Sequence, residues 1–61
     1  MNNNSQKYLP LPGDMFWWYN AALQMAINSE WEENPDEFLM ALYESGNTHR
    51  TKEGAELWAT Q

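Results

Sequence analysis

The stretch that decides the reading is Met15-Phe16-Trp17-Trp18-Tyr19-Asn20-Ala21-Ala22-Leu23-Gln24-Met25-Ala26-Ile27-Asn28. Its centre is rich in strong helix formers, and Asp14 before it is a short carboxylate suited to cap the free amides of a helix start. The pattern predicts a helix over about 14–30. At about 100° per residue, Asn20, Gln24 and Asn28 fall on one narrow polar arc. Phe16, Tyr19, Leu23, Ala26 and Ile27 cover one flank, and Met15, Trp18, Ala22 and Met25 the other. That apolar arc is far wider than the roughly 100° stripe of a surface helix, so the reading makes this the central helix of the fold.

Outward from it, Tyr8-Leu9-Pro10-Leu11-Pro12-Gly13 is held extended by its prolines, and its apolar residues place it as a strap over the core. Residues 1–7 carry three Asn, a Ser and a Gln without apolar periodicity and read as a disordered arm. Downstream, Asn34-Pro35-Asp36-Glu37 reads as a capped helix start, giving a second helix over 35–45. Phe38, Leu39 and Leu42 form its core stripe, Tyr43 lies at its edge, and Ser45-Gly46 ends it through a left-handed glycine. A third, short helix over 50–60 begins from Thr48 or Thr51. The expected fold is all-α: two to three short helices in a small bundle, one domain over 8–61, with an extended N-terminal arm.

Composition bounds the function. The chain has 61 residues, no cysteine, nine acids against three bases and a net charge of −6, yet 43% of it is hydrophobic and 15% aromatic. A chain of this size buries only roughly 60% of the surface its unfolded form exposes. The charge opposes direct nucleic-acid binding, which rests on neutralising phosphate. Residues 8–49 contain no Lys or Arg, which disfavours an amphipathic membrane anchor. Without an export signal or an apolar stretch of membrane-spanning length, the expected location is cytoplasmic.

No residue pattern points to catalysis. Ser5, Ser29 and Ser45 lie outside any nucleophile-elbow pattern, and no phosphate-binding glycine loop or calcium loop is present. His49 is the single histidine, read as an exposed loop or helix-start residue. It has no cysteine or second histidine with which to build a metal site. The expectation is a non-enzyme with no cofactor and no metal.

The acids Glu30, Glu32, Glu33, Asp36, Glu37 and Glu44 form the most one-sided feature of the chain. On the second helix, Asp36, Glu37 and Glu44 share the side away from Phe38 and Leu42. Met40 sits among them as an adaptable apolar anchor. Trp17, and Trp31 if the first helix continues, fall within the polar arc, and tryptophan is enriched among residues that dominate binding energy. The candidate partner-binding residues are therefore Trp17, Trp31, Glu33, Asp36, Glu37, Met40 and Glu44.

These features predict a small acidic protein-binding module, an adaptor, inhibitor or regulator that occludes a surface of a larger partner. That surface would be basic or mixed basic and apolar. The excess of apolar surface also predicts a homo-oligomer. Very short acidic chains without catalytic motifs are typical of phage and mobile-element accessory proteins. The alternative is a nucleic-acid mimic whose carboxylates occupy a basic groove. Five of the acids lie between Glu30 and Glu37, too compact to trace a long duplex.

Overall fold

The structure is a computed structural model that describes residues 7–61; residues 1–6 of the expected arm lie outside the described residues. Two antiparallel strands, β1 (Met15–Asn20) and β2 (Met25–Glu30), are followed by two helices, α1 (Glu37–Glu44) and α2 (Lys52–Ala59). The fold is therefore α+β, and the expected central helix over 14–30 is replaced by a β-hairpin. Pairing runs from Met15 opposite Glu30 to Asn20 opposite Met25.

The reason lies in the four consecutive aromatics. On a helix, Phe16, Trp17, Trp18 and Tyr19 point around most of the circumference and lose rotamer freedom against the preceding turn. On a strand they divide between two faces, Phe16 and Trp18 on one, Trp17 and Tyr19 on the other. The wide apolar arc is thus the signature of a strand buried on both sides. The helix formers Ala21, Ala22 and Leu23 belong to the hairpin loop. There Asn20 Oδ1 accepts the Leu23 N–H at 3.0 Å, and Gln24 takes a left-handed backbone at φ 57°.

Asp14 closes a turn instead of capping a helix. Its N–H reaches the Leu11 carbonyl at 2.9 Å and its carboxylate accepts from the Leu11 N–H at 3.1 Å. Pro12 and Gly13, the latter at φ 89°, occupy the positions a type II turn assigns to them. The Gly13 N–H and the Asp14 carbonyl then both bond Trp31, at 2.8 and 2.9 Å. Two residues opposite one make a bulge, and it fixes Trp31 beside Phe16.

The core lies between the first face of the ribbon and α1. It consists of Phe16, Trp31, Leu39 and Leu42, all buried, with Tyr8, Trp18, Met40 and Tyr43 packed around them. Phe16 and Trp31 meet edge to face, ring centres 5.6 Å apart. Pro10 of the strap is fully buried. Removing each large side chain from water contributes about 2–3 kcal/mol. On the opposite face α2 packs against both strands, where the buried side chains are small, Ala26 and Ala55.

The helices begin and end through specific side chains. Asp36 Oδ1 accepts the Leu39 N–H at 2.9 Å, so α1 starts two residues later than the expected Pro35, with Asp36 in place of Asn34 as its cap. At its end Gly46 (φ 81°) donates to the Tyr43 carbonyl at 3.0 Å, and Asn47 to that of Leu42 at 2.8 Å. This is a Schellman closure, and it delivers Asn47 to the free edge of β1. There the Asn47 amide acts as a peptide unit. Its Oδ1 accepts from the Tyr19 N–H at 2.9 Å, and its Nδ2 donates to the Tyr19 carbonyl at 2.9 Å. Two residues on, His49 and Trp17 exchange both backbone hydrogen bonds at 2.8 Å. The α1–α2 connector thus stands in for a third strand. Thr51 then caps α2, accepting the Gly54 N–H at 2.9 Å.

Candidate protein-binding surface

The first face of the ribbon carries more aromatic surface than α1 covers. Trp18 is half-buried, and its indole N–H is satisfied within the hairpin by Ser29 Oγ at 3.0 Å. Against its ring stands Phe38, edge to face at 5.1 Å and 80°, in the first turn of α1. Phe38 remains 52% exposed. Such a pair is favourable by about 0.5–1.5 kcal/mol, which orders the rings without removing Phe38 from water. Ile27, opposite Trp18 on β2, is half-buried on the same face.

Carboxylates adjoin this pair along the chain. Glu37 precedes Phe38 and is exposed, as are Glu30, Glu32 and Glu33 in the approach to α1 and Glu44 at its end. Asp36 is exposed too, with one oxygen committed to capping α1. Glu37 in the first helical turn lies where the helix dipole favours negative charge, so the acidic start of α1 adds to stability as well as to surface charge.

The residues expected to meet a partner are divided by the fold. Glu33, Asp36, Glu37 and Glu44 are exposed and come from the β2–α1 connector and α1. Trp31 is 3% exposed and belongs to the core. Met40 packs against that core beside Tyr43, so it is no isolated anchor among the acids. Trp17 is half-buried on the second face, where it lines a shallow groove with Tyr19, Lys52 and Glu56.

Phe38 therefore occupies the role expected of Met40, and Met40 the role expected of Phe38. The two lie about 100° to either side of Leu39. Which flank is covered depends on neighbours that the helix pattern does not contain: Met40 packs against the core cluster, whereas Phe38 meets Trp18 edge to face and stays half exposed. Trp18, expected on an apolar flank of a helix, lies on β1. The unbroken run of aromatics Phe16, Trp17, Trp18 and Tyr19, a residue type enriched in strands, was the signal that could have found it.

His49, expected to be exposed, is half-buried. Its Nε2 lies 3.2 Å from Asn47 Oδ1. An amide oxygen can only accept, so this contact is a hydrogen bond in the tautomer that carries its proton on Nε2. Burial lowers the pKa of His49 below the ordinary 6.5. Among the described residues no three His, Asp or Glu side chains are grouped so as to hold a metal ion, and no helix is long and apolar enough to cross a membrane. The chain matches no family model, no curated protein and no solved structure.

Proposed function

We propose that this chain is a small, non-enzymatic protein-binding module that presents the Trp18–Phe38 pair and its neighbouring carboxylates to a larger partner with a mixed basic and apolar surface. The observation that carries this reading is Phe38, a large apolar side chain left 52% exposed while the residue after it is buried. Aromatic anchors supply most of the binding energy at protein interfaces, and surrounding charges set partner choice and encounter rate. The exposed acids of the β2–α1 connector and α1 suit Lys- and Arg-bearing partners and repel acidic ones.

Affinity capture with the whole chain as bait, followed by mass spectrometry, tests the reading. A specific partner is expected to be retained by the native chain. It should be lost from Phe38→Ser and weakened by the combined Glu33→Gln, Glu37→Gln, Glu44→Gln variant. Retention of the same partner by both variants contradicts the proposal. Steep loss in moderate salt with no effect of Phe38→Ser would favour the nucleic-acid mimic instead.

Self-association has one observation of its own. Trp17 turns its backbone toward His49, so Asn28 opposite it turns outward from the ribbon. Among the described residues no strand pairs with that side of β2. β2 contains no Lys or Pro, the residues that commonly protect an edge. Antiparallel pairing of two β2 strands centred on Asn28 sets Ala26 opposite Glu30 of the other copy, with no like charges face to face. Sedimentation equilibrium should then give a dimer that Asn28→Pro dissociates; a monomer throughout the micromolar range rejects this mode.

A further inference from the structure

We propose that the groove between the N-terminal strap and α2 binds a small molecule joining a flat aromatic ring to a phosphate, the chemistry of a nucleoside monophosphate. This site lies apart from the Trp18–Phe38 surface and does not depend on its reading. The groove is open to solvent and offers about 760 Å³, a volume within the range of roughly 300–1,000 Å³ typical of small-ligand sites. In a chain with nine acids and three bases, Lys7, Arg50 and His49 line it, and among the described residues no Asp or Glu side chain does. That segregation sets the sign of the ligand.

Aromatic surface is interleaved with the cations. The Arg50 guanidinium stacks over the Tyr8 ring at 4.3 Å, which steadies it while leaving its N–H donors to meet an oxyanion. Lys7 stands 5.8 Å from the centre of the Tyr43 ring. Across the groove Trp58, 37% exposed, lies 5.6 Å from the His49 ring at a tilt of 53°. Its indole passes close to Gly46, where an added Cβ would come within 3.8 Å of Nε1. Two cations, of which Arg50 is held against the Tyr8 ring, and a half-open indole in one groove match a ligand with a charged end and a flat end. Stacking on an aromatic side chain suits any base, because every base has a π-face. A nucleic-acid polymer does not fit, because a chain of net charge −6 repels the phosphates beyond the groove.

The test is a titration of the full chain with adenosine monophosphate, followed by ¹⁵N–¹H correlation spectra, with adenosine and inorganic phosphate titrated separately up to about 10 mM. The nucleotide should give saturable shifts at the His49, Arg50 and Gly54 amides and the Trp58 indole N–H. Each half-ligand should bind roughly tenfold more weakly or worse. Arg50→Gln and Lys7→Gln should each weaken the nucleotide by several-fold to tenfold while preserving amide dispersion. If Arg50→Gln loosens the strap, Lys7→Gln decides. The proposal is overturned if the nucleotide binds no better than inorganic phosphate, if the shifts lie away from this groove, or if a folded Lys7→Gln binds as well as the native chain.

Discussion

The two faces of the β1–β2 ribbon are covered by different means. On the first, Phe16, Trp31, Leu39 and Leu42 fill the space below α1, and attachment is a matter of apolar volume. On the second, the buried side chains are Ala26 and Ala55, while Asn47 and the His49 backbone tie the α1–α2 connector to the edge of β1. The first face has aromatic surface beyond what α1 covers, and that remainder, Trp18 and Phe38, is the surface offered to a partner. The second face depends on directional bonds, so its failures should be lost hydrogen bonds and not cavities.

Substitutions can break or sharpen this contrast. The largest effect should come from Phe16→Ala, which opens a cavity in the fully buried centre of the first face and costs about 3–5 kcal/mol. For a domain of this size that approaches the entire stability, so loss of near-ultraviolet circular dichroism is expected at 25 °C. On the second face, Asn47→Ala leaves the Tyr19 N–H and carbonyl without partners and should cost about 2 kcal/mol. It should appear as a lower urea midpoint with unchanged slope. Thr51→Ala removes only the α2 cap and should cost about 1 kcal/mol by the same measurement. A substitution at Asn47 as mild as that at Thr51 would mean that the connector holds to β1 without its amide.

Acid provides a smaller lever on the second face alone. Burial keeps the pKa of His49 below 6.5 in the folded chain, so the unfolded chain takes up the proton first. The stability associated with the neutral ring is complete above the unfolded pKa and is lost as pH falls through the folded one. Unfolding measured between about pH 7 and pH 5 should show this loss in the native chain and a shallower one in His49→Gln. Equal slopes would remove His49 from the account.

The parts legible in the sequence were those decided locally. Gly46 ends α1 and Thr51 caps α2 because each acts on backbone groups within a few residues. The start of α1 was misplaced by two positions because Asn34 and Asp36 are both competent caps. The hairpin loop was not legible by propensity: Ala21-Ala22-Leu23 favours a helix, and the loop has no glycine to mark it. What holds β1 extended is distant in sequence, Trp31 beyond the bulge and Asn47 at the end of α1. The same holds for the candidate surface. Exposure of Glu33, Asp36, Glu37 and Glu44 follows from charge alone, whereas the exchange of roles between Phe38 and Met40 depends on which flank of α1 turns toward the core cluster.

Phe38 and Leu39 are adjacent, apolar and similar in size, and the account gives one to a partner and the other to the fold. Urea unfolding of Phe38→Ser beside Leu39→Ala tests that division most directly. Leu39→Ala should lose about 2–5 kcal/mol, and Phe38→Ser no more than about 1 kcal/mol, the worth of its edge contact with Trp18. A loss from Phe38→Ser as large as that from Leu39→Ala would make Phe38 a core residue and contradict the proposed surface.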